Sequence, residues 1–235
     1  MTSQINSTEL KSFYAGLIIS DGYIAKGVSN RAFILRTINK DFAEYIESFT
    51  QAHTNFTTRI KYLPAKIDNN LVHHKEHWEF STKAHPYFAK LYHIFYDDYR
   101  KKYIHPDMLS WLDLRGLANW YMADGYCTNV GKTKGKIVNC RVEFCNDCFT
   151  YDDNLLFCKY MSGLGYKTNP IKRGNVYRAS MSLYDAQRFF VEINQYIVPS
   201  MKYKLYMNIQ RPWMTDEYLL LKSDILAQGL AYKSQ

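Results

Sequence analysis

Two stretches of the sequence decide the fold: residues 10–23, LKSFYAGLIISDGY, and residues 115–126, RGLANWYMADGY. In each, apolar residues at helical spacing lead to a small residue, then Asp-Gly, then Tyr. Because glycine commonly follows the last turn of a helix, each stretch predicts a helix that ends at an acidic residue, Asp21 or Asp124. These aspartates are 103 residues apart, and Lys102 and Lys204 are 102 apart. The chain is therefore predicted to be one unit repeated once.

The elements between these landmarks follow a similar order in both halves. In the first half, the sequence predicts strands at 33–38, 57–63 and 72–82 and helices at 41–51 and 85–97. In the second half, it predicts strands at 137–145, 166–172 and 176–183 and helices at 152–164 and 185–195. Asp41 and Glu44 have the spacing of a capping box and are expected to open the first of these helices.

The predicted fold class is α+β, with each half contributing one αββαββα unit and a pseudo-two-fold axis relating the two. The first unit is expected at 1–103 and the second at 104–206. Residues 207–235 have no counterpart in the first half and are interpreted as a C-terminal helical extension. Its helix, expected at 215–229, should pack against the second unit.

The composition favours a folded protein with a polyanionic partner. With 47% apolar residues the chain can form a packed core, which argues against disorder. The net charge of +8 comes from 30 Lys and Arg against 22 Asp and Glu, and the basic residues are spread over both halves. Such a charge suits nucleic acid, although many basic proteins bind no polyanion.

The sequence also bears on the compartment. It has no apolar run of about 18 residues and no signal-peptide pattern in MTSQINSTEL at 1–10, so an intracellular protein without membrane association is expected. It has five cysteines, an odd number, four of them within 127–148, which favours a reducing environment over a disulfide framework. Mitochondrion, phage host and microbial cytoplasm are not distinguished.

Polar and apolar residues alternate along the predicted strands, which indicates that one face of each sheet packs against helices and the other faces a partner. In strand 137–145, one face carries Val138, Cys140, Val142 and Phe144, and the other carries Ile137, Asn139, Arg141 and Glu143. In strand 72–82, Trp78 and Phe80 are expected in the core, with His73, Lys75, His77 and Glu79 facing away. Arginine and asparagine on a two-stranded ribbon can bind base edges in the major groove, whereas any solvated antiparallel sheet also has a polar face.

The loops 26–31 and 131–136 are expected to contact phosphates, although a loop rich in Lys and Gly is also a common flexible turn. Strand 33–38 alternates poorly, which leaves the direction of Arg36 open. The candidate DNA-binding residues are Lys26, Arg31, Arg36, Arg59, Lys61, His73, Lys75, His77, Lys134, Lys136, Asn139, Arg141, Lys172, Arg173, Arg178 and Ser180.

Asp21 and Asp124 carry the candidate chemistry. A carboxylate in the last turn of a helix faces the negative end of the helix dipole, at a cost of some tenths to about 1 kcal/mol. If the two helices pack along the pseudo-two-fold axis, as the small residues Ala15, Gly16 and Ala118 allow, the two carboxylates meet and repel each other. Mg²⁺ bound between them would remove both penalties, because it prefers carboxylate and phosphate oxygens.

Metal-assisted attack of water on a phosphodiester also needs a cation for the developing negative charge, and Lys102 and Lys204 suit this role. Each lysine taken alone is more often a solvated side chain near a helix start. A zinc site is the rival metal site, with candidate ligands Cys140, Cys145, Cys148, His73, His74 and His77. Only Cys145 and Cys148 have the close spacing that structural zinc requires.

Residues 14–22, YAGLIISDG, and 117–125, LANWYMADG, resemble the two copies of the sequence motif of the LAGLIDADG homing endonucleases, in the single-chain branch with two motifs. The resemblance extends over residues 8–206. It implies duplicated αββαββα units whose two saddle-like antiparallel sheets form a DNA-binding groove. It also implies Mg²⁺-dependent cleavage of both DNA strands across the minor groove, with 3′ overhangs and with Mn²⁺ able to replace Mg²⁺.

The resemblance assigns roles by position in the motif. The metal site comprises Asp21 and Asp124 together with the residues before them, Ser20 and Ala123, and the basic residues of the two active sites are Lys102 and Lys204. The second motif departs from the pattern. Asn119 stands where the motif has glycine, and Trp120 and Tyr121 are expected to widen the helix interface.

The expected partner is double-stranded DNA with a long, asymmetric target site. A monomer is expected because one chain supplies both halves of the pseudo-dimer. The alternatives on the same fold are an intron RNA maturase, which would add host intron RNA as a partner, and a DNA-binding protein that does not cleave.

Overall fold

The computed structural model describes residues 7–25, 27, 29–67, 73–133, 136–209 and 211–229. The first unit consists of α1 (Ser7–Ile19), β1 (Tyr23–Ile24), β2 (Phe33–Thr37), α2 (Lys40–His53), β3 (Thr58–Leu63), β4 (Lys66–Ile67), β5 (His73–His74), β6 (His77–Thr82) and α3 (Pro86–Phe95). The second consists of α4 (Pro106–Trp111), α5 (Leu114–Asp124), β7 (Gly125–Thr133), β8 (Lys136–Phe144), α6 (Tyr151–Gly163), β9 (Thr168–Arg173), β10 (Val176–Met181) and α7 (Leu183–Ile193). Short 3₁₀ helices at Asn194–Tyr196 and Pro199–Leu205 lead to the last helix, α8 (Asp216–Ala227).

The two main sheets have the same topology. Their strand orders are β1-β2-β6-β3 and β7-β8-β10-β9, and every neighbouring pair is antiparallel. The register repeats as well: Tyr23 pairs with Ile34 in the first sheet, and Tyr126 pairs with Glu143 in the second. The predicted α+β fold of duplicated units is therefore confirmed, while the boundary at 103/104 stays a prediction.

Three local predictions differ from the structure. The predicted strand 72–82 is divided into β5 and β6, because β5 pairs with β4 in a separate two-stranded sheet. The cap of α2 is Asn39, whose side chain accepts a hydrogen bond from the Phe42 amide at 3.0 Å, so the capping box of Asp41 and Glu44 is wrong. Instead, Glu44 forms an ion pair with Lys40, at 2.5 Å.

In the second unit, β7 was predicted only as a strand of the αββαββα order, without bounds, and α4 was not predicted. β7 carries the sequence GYCTNVGKT, whose glycines and polar residues resemble a loop, and its pairing with β8 supplies the regularity that the sequence lacks. α4 is a six-residue helix capped by the His105 side chain and opened by Pro106 at its first turn. A proline at this position is a recognised helix start, but the apolar pattern that follows is too short to predict a helix.

The centre of the molecule is the packing of α1 against α5. Both helices are buried over most of their length, from Ser12 to Ile19 and from Gly116 to Met122. A Cβ on Gly16 would lie 1.9 Å from the Gly116 carbonyl oxygen, so the close approach requires glycine. Ser12 adds a hydrogen bond across the interface by donating to the Asp113 carboxylate, at 2.6 Å.

The departures from the motif do not widen this interface, contrary to expectation. Asn119 is fully buried and donates to the Phe13 carbonyl oxygen of the facing helix, at 3.2 Å. Trp120 contacts the ring of Phe157, and Tyr121 contacts the ring of Phe189, so both aromatic side chains enter the core of the second unit. The bulky residues of α5 therefore fill the second unit while the smaller ones contact α1.

The C-terminal helix packs against the second unit, as predicted. The buried Tyr218 hydroxyl donates to the Leu205 carbonyl at 3.0 Å and accepts from the Met207 amide at 2.8 Å. Its ring also lies beside Phe190 of α7. No helix in the described part of the chain is long and apolar enough to cross a membrane.

Candidate active site and nucleic-acid interface

The two acidic residues lie where α1 and α5 end and the chain turns into a sheet. After α1, the Gly22 amide donates to the Leu17 carbonyl at 2.8 Å, and the Ser20 hydroxyl donates back to the Gly16 carbonyl at 2.8 Å. A Cβ on Gly22 would lie 2.6 Å from the Phe33 ring, so only glycine lets the chain enter β1 at this angle. Asp21 is thereby held at the corner between helix and strand.

Lys102 and Lys204 bind the ends of the motif helices. Lys102 Nζ donates to the carbonyl oxygens of Ser20 and Gly22, both at 2.6 Å. Lys204 Nζ donates to those of Met122 at 2.5 Å and Ala123 at 3.2 Å. Carbonyls at a helix C-terminus lack partners within the helix, and the helix dipole makes this end favourable for a cation. The structure therefore brings each lysine to the helix end of its own unit, although Lys204 lowers the pKa of Asp21 more than Lys102 does, and Lys102 lowers the pKa of Asp124 more than Lys204 does.

The segments that carry the lysines are fixed by hydrogen bonds from the opposite unit. Asn39 at the start of α2 donates its side-chain amide to Ser200 Oγ at 2.9 Å, four residues before Lys204. Asp153 in α6 accepts from the Ile104 amide at 3.1 Å, two residues after Lys102. Sequence reasoning missed both contacts, which depend on how the two units dock.

The four charged groups form one electrostatic centre. Partial removal from water raises the pKa of Asp124 to about 7, with a further contribution from the charge of Asp21. The pKa of Asp21 is also raised by burial, although both lysines oppose the shift. Burial lowers the pKa of Lys102 and of Lys204, and both aspartates counter this. Asp21 is open to solvent and Asp124 is half-buried, so the two carboxyl groups lie in a recess that water can reach.

The chemistry of this donor set fits Mg²⁺ or Mn²⁺. Carboxylate and carbonyl oxygens are hard ligands, of the kind that both ions prefer. Because burial and the charge of Asp21 raise the pKa of Asp124 to about 7, this carboxyl is only partly ionised at neutral pH, and a divalent cation would favour its ionised form. The carbonyls of Ser20 and Ala123 accept hydrogen bonds from the lysines, which makes the two aspartates the better ligands.

The rival zinc site gains no support. In the part of the chain that the structure describes, no three side chains of His, Cys, Asp or Glu come together as metal ligands. Cys140 is buried on the apolar face of β8, as predicted, and the side chains of His73 and His74 lie outside the described part.

In the first sheet, the polar face carries several of the predicted residues. Arg59 and Lys61 are exposed on β3, and Arg36 of β2 faces outward and pairs with Glu79 at 2.8 Å. Phe80 is fully buried, as predicted, whereas Trp78 is half-buried. The polar face also includes the exposed Lys75 and the half-buried His77.

The Arg31 side chain contacts another residue of the protein. Its guanidinium lies over the ring of Tyr92, 3.5 Å from the centroid, and no phosphate contact is needed to hold it there. Lys26 and Lys134 lie outside the described residues, as do the side chains of His73 and Lys136. Their predicted contacts with DNA stay predictions.

In the second sheet, Asn139 and Arg141 are exposed and Val142 and Phe144 are buried, as the alternation predicts. Glu143 lies on the polar face, as predicted, but its side chain is only 1% exposed. It is covered by ion pairs with Arg173 and Arg178, which were predicted as separate DNA-binding residues. Ser180 pairs with Glu143 in the register and shares its face. Lys172 is exposed but pairs with Tyr177, whose ring contacts Tyr151 of α6, so its predicted place on the polar face is wrong.

Sequence reasoning missed the segment after β8. The Cys145 amide donates to the Asp124 carbonyl oxygen at 2.8 Å, which brings this segment beside the acidic centre. Asp147 accepts two hydrogen bonds from Arg178, and its charge contributes to the raised pKa of Asp124. The contact follows from the pairing of β7 with β8, and β7 has no clear signal in the sequence.

The chain matches known proteins over most of its sequence. A sequence profile described as "LAGLIDADG DNA endonuclease family" matches residues 11–189. The "Probable intron-encoded endonuclease 1" of Wickerhamomyces canadensis is 30% identical over 200 residues, which cover 83% of this chain and 82% of that protein.

Two solved structures share the fold. The homing endonuclease I-WcaI bound to its DNA recognition sequence matches with a TM-score of 0.73 and 22% identity, covering 88% of this chain and 89% of that one. I-DmoI in complex with DNA and Mn matches with a TM-score of 0.50 and 16% identity, covering 80% and 97%. The sequence match spans both motifs and both four-stranded sheets, and the chain belongs to the LAGLIDADG DNA endonuclease family.

Proposed function

We propose that this chain is an intron-encoded, site-specific homing endonuclease that hydrolyses both strands of a long, asymmetric DNA target and leaves 3′ overhangs. Mg²⁺ is the proposed cofactor, with Mn²⁺ able to replace it. The observation that carries the proposal is the electrostatic centre at the ends of α1 and α5, where two carboxyl groups and two ammonium groups affect one another's pKa.

The proposed division of labour follows from the geometry. Asp21 and Asp124 would hold the divalent cation, with the carbonyls of Ser20 and Ala123 beside them. When bound, the cation polarises the phosphate and lowers the pKa of an attacking water. Lys102 and Lys204 stabilise the negative charge that develops on the phosphate. Their ammonium groups are already fixed by two carbonyl oxygens each, so little reorganisation is needed.

The polar faces of the two sheets are the proposed DNA-binding surface. Arg59, Lys61, Asn139 and Arg141 are exposed there, and such side chains suit base edges and phosphates in the major groove. I-WcaI, which shares the fold, is bound to its DNA recognition sequence in the solved structure. One chain supplies both sheets and both aspartates, which supports a monomer as the active form.

The experiment is cleavage of selected DNA. Duplexes cut by the wild-type protein in Mg²⁺ would be recovered from a plasmid library, and one of them used to compare wild type with Asp21→Asn and Asp124→Asn. We expect the wild type to linearise the plasmid, both variants to bind it, and neither to cut at a comparable rate. Tight, sequence-specific binding without cleavage by the wild type would instead indicate a DNA-binding protein that does not cleave.

A further inference from the structure

A buried carboxylate lies on the polar face of the second sheet. Val142 and Phe144 are fully buried on the opposite face, where Phe144 contacts the rings of Phe157 and Phe189. Because neighbouring residues of a strand point to opposite faces, Glu143 points away from the helices. Its side chain is nevertheless only 1% exposed.

Two arginines cover this carboxylate. Arg173 at the end of β9 donates from NH2 to Glu143 Oε1 at 2.5 Å, and Arg178 of β10 places NH1 3.8 Å from Oε2. Arg178 is held further by Asp147, which accepts from its Nε at 2.6 Å and from its NH2 at 2.7 Å. The two arginine side chains are 32% and 24% exposed, so they form the outer layer over Glu143.

The burial of Glu143 depends on these arginines. An unpaired carboxylate removed from water is strongly unfavourable, whereas one that is paired and hydrogen-bonded is tolerated. The same contacts restrict the arginines, since each guanidinium must stay near a carboxylate that cannot move. A guanidinium has five N–H donors, and the carboxylates use only part of them. The remaining donors are thus held in a defined direction on the polar face.

The first sheet has no such arrangement at the equivalent position. Ile34 pairs with Tyr23 and Ser81, just as Glu143 pairs with Tyr126 and Ser180. The nearest ion pair of the first sheet, between Arg36 and Glu79, joins one arginine to a more exposed carboxylate. Among the described residues, the buried carboxylate with two arginines is therefore found in the second sheet and not in the first.

We propose that Glu143 is a positioning residue for target recognition, which does not touch DNA but orients Arg173 and Arg178 to recognise the half of the target that faces the second sheet. This rests on the proposed function in that double-stranded DNA is the ligand. Removal of the charge at Glu143 releases the Arg173 guanidinium into several rotamers and removes one of the two carboxylates that orient Arg178, which Asp147 still holds. Discrimination between base pairs then weakens in one half of the target, while contacts with the phosphates persist.

The test compares Glu143→Gln with Glu79→Gln as the matched control. Duplexes bound by each protein would be selected from a randomised library in Ca²⁺, and base preferences compared position by position. For Glu143→Gln we expect roughly tenfold weaker discrimination at the base pairs facing the second sheet, with the other half unchanged. For Glu79→Gln, any change should be smaller and confined to the half facing the first sheet.

Two results would overturn the proposal: an unchanged preference profile, or a loss of affinity spread evenly over both halves. If Glu143→Gln does not fold, Arg173→Gln and Arg178→Gln provide the test, and each must weaken the same half of the target. Cleavage is measured separately in Mg²⁺ on the selected duplex. Specific binding by the wild type without cleavage would count against the nuclease function alone, and failure to select any DNA would overturn both proposals.

Discussion

The two units of this chain share their topology but differ in the parts that face a partner. Both sheets have the same strand order. In both units an aspartate lies at the end of the motif helix, next to backbone carbonyls that accept hydrogen bonds from a lysine. By contrast, β1 has two residues and β7 has nine, and the apolar Ile34 of the first sheet corresponds to the buried Glu143 of the second. Duplication has thus preserved the centre and the framework, while the surfaces available to the two halves of an asymmetric target have diverged.

The largest expected effect tests whether the two aspartates act as one centre. Asp21→Asn and Asp124→Asn should each lower cleavage of the selected duplex by at least about 10³-fold, because each variant removes a charged metal ligand. Single-turnover rates at saturating Mg²⁺ measure this. Binding to the same duplex in Ca²⁺ is the control for folding. If one variant still cut both strands at the wild-type rate, the aspartate that it replaces would not be needed, and the chemistry would belong to the other unit.

The lysines should show a smaller loss. Lys102→Met and Lys204→Met each keep an unbranched side chain of similar length but remove the ammonium group from two backbone carbonyls. We expect cleavage to fall by about 10²-fold in each, with binding little changed. Each lysine contacts the helix end of its own unit. If each lysine serves one DNA strand, each variant should still cut the other strand, and nicked DNA should accumulate. Equal loss on both strands in both variants would contradict separate roles.

The interface between α1 and α5 predicts that substitutions at corresponding positions of the two motif helices change the stability of the protein by different amounts. Gly16→Ala places a methyl group 1.9 Å from a backbone oxygen, and we expect it to destabilise the protein by about 3 kcal/mol. Asn119→Ala, at the corresponding motif position, removes one buried hydrogen bond and should cost about 1 kcal/mol. Urea unfolding of both variants gives the two values, and the reverse order would contradict the packing described above.

The smallest expected effect concerns stability and pH. Burial raises the pKa of Asp124 to about 7, well above the 3.8 of an unperturbed carboxyl. Without metal, Asp124 in the unfolded chain therefore loses a proton that it retains in the folded chain, and its contribution to stability falls as pH rises from about 4 to 7. After allowance for solvent screening, Asp124→Asn should be more stable than wild type by about 1–2 kcal/mol at pH 8 and equal to it at pH 4.

Urea unfolding in EDTA measures this difference. Addition of Mg²⁺ should stabilise the wild type at pH 8 but not Asp124→Asn, because the ion binds the folded state through the ionised carboxylates. A difference in stability between Asp124→Asn and the wild type that does not grow from pH 4 to pH 8 in EDTA would contradict the assigned direction.

The sequence predicted the charged residues of the candidate active site better than the polar faces of the two sheets. The repeated Asp-Gly ends, 103 residues apart, and the two lysines, 102 apart, identified the four charged groups, because helix periodicity and duplication are local or regular signals. The burial of Glu143 could not be predicted, since it depends on Arg173, which is 30 residues away, and on the order of strands in the sheet. The same holds for Asn39 and Ser200, 161 residues apart, which meet only when the units dock.

Elements without an apolar pattern were missed, as α4 was, or predicted without bounds, as β7 was. β7 is recognisable as a strand only through its partner β8, and α4 is too short to show a helical period. Conversely, Trp120 and Tyr121 were assigned to the wrong side of α5, because the sequence shows that a residue is apolar but not which of two neighbouring cores it enters.

The central claim is that Asp21 and Asp124 jointly hold divalent cations against DNA. It is tested most directly by a crystal structure of the protein with its selected duplex and Mn²⁺, in which anomalous scattering locates the metal. The account predicts manganese within bonding distance of both carboxylates and of a phosphate oxygen. Manganese bound elsewhere, or carboxylates too far apart to share one site, would contradict it.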